Sequence, residues 1–178
     1  LFRDGGFNGT IIKLGKEFSN IEILNDGNLV VGAACLDKKI SNFALENSFK
    51  DFEFLSCIPG SIGGAIAMNC GCYGNEISKL VISVDAVTFD GQLKTFNKDQ
   101  IKFFYRGSDF GEPLIITSAK LKGSKGKKKE IQEKQNKFLD QKKKSQPSKI
   151  KTCGSTFKNP ENKKAWELIK DSGCINLR

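Results

Sequence analysis

Two short clusters contain side chains that could take part in chemistry. In residues 105–108, Tyr-Arg-Gly-Ser, the guanidinium of Arg106 directly follows the aromatic ring of Tyr105. An arginine in this setting can pack on the ring while its planar donors hold a carboxylate or a developing enolate. The same residues also suit a surface cation between two strands, and the sequence alone favours neither interpretation.

The second cluster, residues 154–160, has the sequence Gly-Ser-Thr-Phe-Lys-Asn-Pro. Its small, polar and basic side chains suit the binding of a phosphorylated or sugar ligand. A turn that leads into a helix explains the same residues, and taken alone the cluster favours that turn.

Residues 58–76, which we call the glycine segment, contain five glycines and a proline among mostly apolar residues. Glycine permits positive φ and a close approach of the backbone, and its N–H groups can then converge on an anion such as phosphate. A tight turn between packed elements is the alternative. The length and the apolar filling of the segment favour a ligand site.

Composition limits the class of protein. With 178 residues, of which 38% are hydrophobic and 28% charged, the chain suits one domain with a core, or one domain and part of another. It has no apolar run of the ~20 residues that span a bilayer and no secretion signal, so we expect a cytoplasmic protein without a membrane partner. The first residue is Leu1, and we expect the chain to enter in mid-domain.

Histidine is absent, and the chain has six cysteines. Without an imidazole base, a Ser-His-Asp mechanism is excluded. The cysteines lack the C-x-x-C spacing of a zinc site, so we expect no metal site and reduced, mostly buried thiols. The fingerprints G-x-G-x-x-G and G-x-x-x-x-G-K-[ST] are also absent, so another fold must hold any nucleotide cofactor.

The net charge of +9 comes from one segment, residues 120–151, in which 13 lysines stand against three acidic residues. Nucleic-acid binding is one interpretation, but the segment has a single aromatic residue, Phe138, and so offers no stacking platform. Ile131, Phe138 and Leu139 instead predict a solvated helix with a narrow apolar stripe. We therefore expect no nucleic-acid partner.

Apolar runs separated by turn residues predict an α+β fold. An antiparallel meander and a helix should precede the glycine segment, and a joint between domains should follow the lysine-rich helix at residues 145–147. The predicted strands are 10–14, 21–24, 29–35, 80–89, 92–96 and 114–121. The predicted helices are 36–48, 64–69, a capped turn at 97–101, the lysine-rich helix, and one that begins at Trp166.

Five motifs then occur in the order and at the separations of one family. The glycine segment matches I-P-G-[ST]-[IV]-G-G-A followed by M-N-x-G-x-Y-G, and the two clusters match Y-R-x-S and G-S-x-F-K-N-P. The opening residues 3–6 and the joint at 145–147 also agree. The chain therefore resembles the shorter form of the UDP-N-acetylenolpyruvoylglucosamine reductase family over essentially its whole length.

The resemblance implies an FAD-binding domain of the vanillyl-alcohol-oxidase (PCMH) type at residues 1–147. The start of a substrate-binding α+β domain would follow at residues 148–178. In this family of peptidoglycan precursor synthesis, a hydride passes from NADPH to FAD and then to the enolpyruvyl double bond of a UDP-sugar, which gives UDP-N-acetylmuramate. The flavin carries the redox step, while the protein supplies position and electrostatics. We expect a monomer.

The resemblance also implies roles for individual residues. Arg106 would stabilise the enolate-like intermediate, and Ser155 would give a proton to the carbanion, which needs a dry site because serine is a weak acid. The substrate would be contacted by Tyr105, Lys158 and Asn159. The flavin and its diphosphate would be lined by Ile58, Pro59, Gly60, Ser61, Gly63, Gly64, Asn69, Gly71, Tyr73 and Gly74.

The chain departs from the family pattern in several places. The family's G-x-G-S-N loop and its C-terminal glutamate lie outside this sequence, so we expect this stretch alone to bind FAD weakly and not to turn over. Cys57 stands where glycine is usual and predicts a local clash, Cys70 and Cys72 replace small residues, and the lysines at 142–144 replace an arginine. Three alternatives stay open: a decayed reductase acting only as a binding module, a flavin oxidoreductase with another substrate, and a basic nucleic-acid-binding protein.

Overall fold

The computed structural model describes residues 4–146 and 157–174. The chain divides into two compact units, one formed by residues 11–147 and the other by residues 1–10 together with 148–178. The larger unit contains the glycine segment and the cluster at Tyr105 and Arg106. Ser155 lies outside the described residues.

Short strands and helices alternate along the chain, which confirms the α+β class. The strands are β1 (Ile21–Ile23), β2 (Leu29–Gly32), β3 (Gly71–Cys72), β4 (Asn75–Glu76), β5 (Val81–Thr88), β6 (Leu93–Asn97), β7 (Lys102–Phe104), β8 (Gly107–Asp109) and β9 (Leu114–Leu121). The helices are α1 (Asp37–Glu46), α2 (Ile62–Ala67), α3 (Lys128–Ser145) and α4 (Ala165–Asp171). Single 3₁₀ turns occupy Lys16–Ser19, Glu53–Cys57, Ile77–Lys79 and Lys98–Gln100.

Five strands form an antiparallel sheet in the order β1-β2-β9-β5-β6. Alternate residues of its inner strands, such as Leu29 and Val31 on β2, are fully buried, as the period of two requires for a sheet covered on one face. Gly91 makes the turn between β5 and β6 at φ +85°, a conformation that glycine adopts without steric cost. Helix α2, which is part of the glycine segment, packs against β2 and β9 of this sheet.

The strand predicted at residues 10–14 is wrong, because residues 10–15 form no strand. Ile11 and Ile12 are each 63% exposed, so this apolar run has no core to alternate against. Ile12 and Leu14 instead line a cavity. Strand β2 also ends at Gly32, short of the predicted residue 35, because the next carbonyls pair with the glycine segment.

The lysine-rich helix α3 has one buried face. Ile131, Gln135 and Phe138 are buried at spacings of four and three residues, and Leu139 is partly buried, so the predicted apolar stripe is confirmed. Gln135 is the polar member of this face, and its Nε2 donates to the Ser41 Oγ on α1 at 3.1 Å.

An ion pair attaches α3 to the turn that leads into the glycine segment. The Lys134 Nζ lies 3.2 Å from the Glu53 Oε2 and 3.6 Å from the Asp51 Oδ1. The Glu53 side chain is only 2% exposed, whereas the Lys134 side chain is 40% exposed. The lysine therefore compensates a carboxylate that has almost no access to water.

In the smaller unit, α4 begins at Ala165, as the pattern at Trp166 predicts. The Asn159 Oδ1 accepts a hydrogen bond from the Ala165 N–H at 3.0 Å, which satisfies a free donor at the start of this helix. Over residues 4–146 and 157–174, no helix is both long and apolar enough to cross a bilayer.

Candidate functional site

The glycine segment is fixed at its start by pairing with residues 33–37. The Asp37 N–H donates to the Gly60 oxygen at 3.1 Å. The Ile62 N–H donates to the Cys35 oxygen at 2.9 Å, and the Gly63 N–H to the Ala33 oxygen at 3.0 Å. The segment then continues through α2 into the β3–β4 hairpin. These bonds hold residues 60–64 as a wall of defined shape.

At three positions of the segment, the local structure of the protein itself requires glycine. Gly60 and Gly74 adopt φ values of +146° and +78°, which residues with a Cβ rarely adopt. Gly71 has an ordinary φ, but a Cβ there would collide with the Asn75 carbonyl across the β3–β4 hairpin. These positions need glycine whether or not a ligand is present.

Gly64 is different, because its missing side chain leaves space in a cavity of about 440 Å³. A Cβ at Gly63 would lie 3.0 Å from the Ala33 Cβ, so that glycine permits close packing on the sheet. At Gly64 the nearest atom to such a Cβ is the Ser61 Oγ, at 3.9 Å. The Gly64 N–H also has no acceptor in the part of the chain that the structure describes. The wall thus leaves both space and a donor on its cavity side.

The cavity wall combines apolar and polar groups. Ile12, Leu14 and Phe110 contribute apolar surface, while Ser108 and Glu112 contribute polar groups. Ligand pockets of a few hundred Å³ have this composition, in which apolar walls carry a small number of polar contacts. The glycine segment is therefore not packed shut against its own side chains.

Tyr105 and Arg106 form the two-residue turn of the β7–β8 hairpin, in which Phe104 pairs with Gly107. Arg106 adopts φ +60°, in the left-handed region. Its guanidinium carbon lies 5.1 Å from the centre of the Tyr105 ring, and its Nη1 donates to the Gly71 oxygen at 3.3 Å. The guanidinium therefore packs on the neighbouring ring and also joins the hairpin to the glycine segment.

A second cavity, of about 420 Å³, lies beside this guanidinium. Arg106 and Lys79 bring positive charge to it, and Glu76 brings negative charge. Gly71 and Gly74 line it as well, so it borders the second half of the glycine segment. The two cations outnumber the one carboxylate, which suits an anionic ligand.

Helix α3 also contacts the glycine segment. The Tyr73 ring stacks on the Phe138 ring, with centres 5.3 Å apart and planes 12° apart, and burial raises the pKa of Tyr73. The Lys142 Nζ donates to the Cys57 oxygen at 2.8 Å. The segment is thus supported by the sheet on one side and by the lysine-rich helix on another.

Cys57 is accommodated without the predicted clash, because its buried side chain joins the hydrophobic core. Its Sγ lies 3.7 Å from the Ser56 Oγ. The Cys72 Sγ donates to the Phe54 oxygen at 3.5 Å, and burial raises the pKa of Cys72 to about 12. Burial also raises the pKa of Cys70. The thiols of Cys70 and Cys72 are therefore protonated at neutral pH, so these two side chains fill space and are not nucleophiles.

Asp37, at the start of α1, is fully buried behind the glycine segment. Neither of its carboxylate oxygens has a hydrogen-bond partner among the described residues. A Cβ at Gly60 would lie 3.6 Å from the Asp37 Oδ2. Burial raises the pKa of Asp37 to about 7. No motif of the sequence indicated this residue.

The larger unit brings together Tyr105, Arg106 and the predicted residues of the glycine segment. Lys158 and Asn159 are exposed in the smaller unit, and Ser155 lies outside the described residues. Sequence reasoning missed two groups that contact the site, the carboxylate of Glu76 and the hydroxyl of Ser108, whose Oγ donates to the Ala67 oxygen at 3.2 Å. Glu76 lies two residues beyond the motif that ends at Gly74, and Ser108 is the last residue of the Y-R-x-S motif. This proximity to a motif was the sequence signal that could have found them.

Comparison with known proteins defines the class. The model of a family described as "FAD binding domain" matches residues 1–97, more than half of the chain. The chain therefore belongs to the FAD binding domain family, and this match indicates FAD as its cofactor.

Individual relatives extend this result. The chain is 49% identical over 180 residues to the UDP-N-acetylenolpyruvoylglucosamine reductase of Pelagibacter ubique, and it is 43% identical over 178 residues to that of Rickettsia bellii. These alignments cover 99% and 100% of this chain, but 60% and 59% of the relatives. The chain thus spans about three fifths of their length.

A solved structure of a reductase with nearly the same name also matches this chain. The crystal structure of the UDP-N-acetylenolpyruvylglucosamine reductase from Thermus caldophilus superposes with a TM-score of 0.83 at 29% sequence identity. The superposition covers 94% of this chain and 60% of that one. The resemblance given from the sequence motifs is confirmed by these relatives, and so is the fold that it implied.

Proposed function

We propose that this chain is the flavin-binding part of an oxidoreductase that reduces UDP-N-acetylglucosamine enolpyruvate to UDP-N-acetylmuramate with NADPH. Residues 1–147 would bind FAD, and residues 148–178 would begin the substrate-binding domain. The observation that carries the proposal is the placement of Arg106 directly against the Gly71 carbonyl of the glycine segment. This contact brings the predicted anion-stabilising cation and the predicted flavin wall together.

The residues present fit a flavin. The open space at Gly64, its free N–H and the apolar cavity wall suit a flat ring system with a few polar edges. Ile58, Pro59, Gly60, Ser61, Gly63, Asn69, Gly71, Tyr73 and Gly74 are the other proposed flavin contacts. The bound flavin would supply the hydride-transfer chemistry, which no amino-acid side chain provides.

The proposed role of Arg106 is to stabilise negative charge that builds on the substrate carboxylate. Its guanidinium carries a permanent charge, and its contacts with Tyr105 and Gly71 hold it beside a cavity that Lys79 also makes positive. A donor that is already oriented need not reorganise as charge develops, which is the main source of electrostatic catalysis. Ser155 is the proposed proton donor, and Tyr105, Lys158 and Asn159 are the proposed substrate contacts.

Two measurements test the proposal. FAD is titrated into the natural protein while flavin absorbance and fluorescence are recorded, and reduction of the enolpyruvyl sugar by NADPH is assayed in the same protein. Arg106→Ala and Ser155→Ala should each retain FAD and slow turnover by at least about 100-fold, the size expected for a lost anion-stabilising group and for a lost proton donor. Failure of the protein to bind FAD contradicts the cofactor assignment. Unchanged turnover in both variants contradicts the assigned reaction.

A further inference from the structure

Asn69 makes three hydrogen bonds through its side chain, all to other parts of the protein. Its Nδ2 donates to the Glu76 Oε2 at 3.2 Å and to the Phe104 oxygen at 3.1 Å, and its Oδ1 accepts from the Ser78 N–H at 3.3 Å. The residue is 4% exposed and adopts φ +39°. Both amide donors are therefore used, and the Ser78 N–H fixes which side of the carboxamide is the oxygen.

The bond to Phe104 acts on the turn that carries Arg106. Phe104 is the last residue before Tyr105 and Arg106, and the β7–β8 hairpin forms a two-stranded sheet of its own. A short hairpin of this kind is marginal by itself and depends on neighbouring contacts. Asn69 supplies one such contact at the base of the turn, and Arg106 supplies another at its tip through the Gly71 oxygen.

Glu76 completes this arrangement from the β3–β4 hairpin. Its Oε2 accepts from Asn69 and lies 3.5 Å from the Ser78 Oγ. The side chain is half-buried and borders the same cavity as Arg106 and Lys79. A carboxylate is a stronger acceptor than a neutral oxygen, so Glu76 holds the Asn69 amide in the orientation that bonds Phe104.

We propose that Asn69 and Glu76 are positioning residues, a hydrogen-bonded pair that holds the Tyr105–Arg106 turn so that the guanidinium faces the cavity beside the glycine segment. This role rests on the proposed function of Arg106. It gives the Asn69 side chain a task within the protein, and its predicted contact with the flavin remains a separate prediction.

A purely structural role would also use these hydrogen bonds, but it predicts different measurements. Loss of a structural contact lowers the stability of the whole unit and weakens FAD binding together with turnover. Loss of a positioning contact lowers kcat and leaves FAD affinity unchanged, because the Tyr105–Arg106 turn is displaced while the flavin wall keeps its place. A fall in kcat without a fall in FAD affinity therefore indicates positioning, and a fall in both indicates a structural role.

The test compares Asn69→Gly and Glu76→Gln with Thr95→Val, a control that removes a remote hydrogen bond of 2.7 Å to Asp85. Glycine suits the positive φ of Asn69, so the first variant removes the side chain without adding strain. Glu76→Gln keeps the shape and carries the test alone where Asn69→Gly does not fold. We expect kcat in the natural protein to fall by on the order of 10-fold to 100-fold in both variants. FAD affinity should stay within about 2-fold in Glu76→Gln, which is not a proposed flavin contact, and Thr95→Val should leave kcat, KM and FAD affinity unchanged.

A double-mutant cycle identifies the route of the effect. If Asn69 acts through Arg106, then Asn69→Gly should not slow an Arg106→Ala protein further. The proposal would be overturned if Asn69→Gly lowered kcat by the same factor in the Arg106→Ala protein as in the wild-type protein. A wild-type kcat in both single variants would overturn it as well.

A spectroscopic readout keeps this result separate from the proposed function. The Arg106 Nε–Hε resonance, assigned by its loss in Arg106→Ala, can be followed in the chain without cofactor or substrate. It should shift in Asn69→Gly and Glu76→Gln and stay in place in Thr95→Val. An unmoved resonance in the first two variants contradicts positioning, whereas an Arg106→Ala protein with full turnover contradicts the proposed function instead.

Discussion

The Arg106 guanidinium donates a hydrogen bond to the carbonyl oxygen of Gly71, at 3.3 Å, across 35 residues of sequence. This bond joins the turn of a small hairpin to a segment whose glycines had suggested a ligand wall. It explains why the cavity beside Arg106 also borders the second half of the glycine segment. One contact thus relates two motifs that the sequence showed only as separate patterns.

A valine at Gly64 should block the larger cavity and leave the fold intact. Its Cβ meets no close neighbour, since the nearest atom is 3.9 Å away, and Gly64 lines the cavity that the added methyl groups would fill. Overfilling a ligand site costs about 1–3 kcal/mol, so FAD affinity should fall by roughly 10-fold to 100-fold. The dissociation constant is measured by flavin fluorescence and the melting temperature by circular dichroism.

Gly71→Ala is the matched comparison for Gly64→Val. A Cβ at Gly71 meets the Asn75 carbonyl, so this variant should lower the melting temperature as well as FAD affinity. Unchanged FAD affinity in Gly64→Val would show that the space at this glycine is not where the cofactor lies.

Replacement of Arg106 by glycine should give a more stable protein than replacement by alanine. Both variants lose the guanidinium and its contacts, but only alanine must keep the left-handed φ of +60°. That conformation costs a residue with a Cβ about 1 kcal/mol, so the free energies of unfolding should differ by this amount in urea titrations. Turnover should be low in both. Equal stability of the two variants would mean that the turn relaxes when the arginine is absent.

Much of the fold follows from local patterns. The capped turn predicted at residues 97–101 occurs as Lys98–Gln100, with the Gln100 side chain accepting from the Asn97 N–H at 2.8 Å. The strand at Leu114–Leu121 has the predicted limits, and α3 has the predicted apolar stripe. These elements depend on residues within one or two turns of each other, so the sequence contains their cause.

The errors arise where distant partners decide the conformation. An apolar run at residues 10–14 suggested a strand, but its isoleucines remain exposed or line a cavity. The glycine segment shows the same effect, since its glycines have four different causes: positive φ, collision with Asn75, close packing of Gly63 on Ala33, and the open space at Gly64. Only the neighbours in space distinguish these causes, and a sequence does not contain them.

Removal of Lys134 should destabilise the larger unit because it leaves the buried carboxylate of Glu53 without its cation. The Glu53 side chain is 2% exposed, and the Lys134 Nζ lies 3.2 Å from its Oε2. Breaking a buried pair costs about 3–5 kcal/mol, and we expect about 2 kcal/mol for Lys134→Ala because the lysine is partly exposed. Urea unfolding measures this difference.

Lys137→Ala serves as the control for Lys134→Ala, since Lys137 is an exposed lysine on the same helix. It should change the free energy of unfolding by less than about 0.5 kcal/mol. Equal effects of the two substitutions would contradict the assigned ion pair and would point to helix propensity or net charge instead.

Asp37 should make the larger unit less stable as the pH rises. Its pKa is about 7 in the folded protein, against an ordinary value of 3.8, because burial disfavours the charged form. Between these two values the folded state holds a proton that the unfolded state has released, so the free energy of unfolding falls as pH increases. The favourable contribution is complete below about pH 4 and is lost progressively up to about pH 7. Three pKa units correspond to about 4 kcal/mol, which is an upper limit where the chain relaxes around the charge.

Urea titrations at pH 5 and pH 8 should therefore differ strongly in the natural protein and much less in Asp37→Asn, which has no proton to lose. The same pH slope in both proteins would assign the effect to another group. If bound FAD supplies a hydrogen-bond partner to the Asp37 oxygens, the pH slope of the natural protein should be smaller with FAD than without it. A smaller slope with FAD would indicate a carboxylate that faces the cofactor, and an unchanged slope one that is enclosed only by protein.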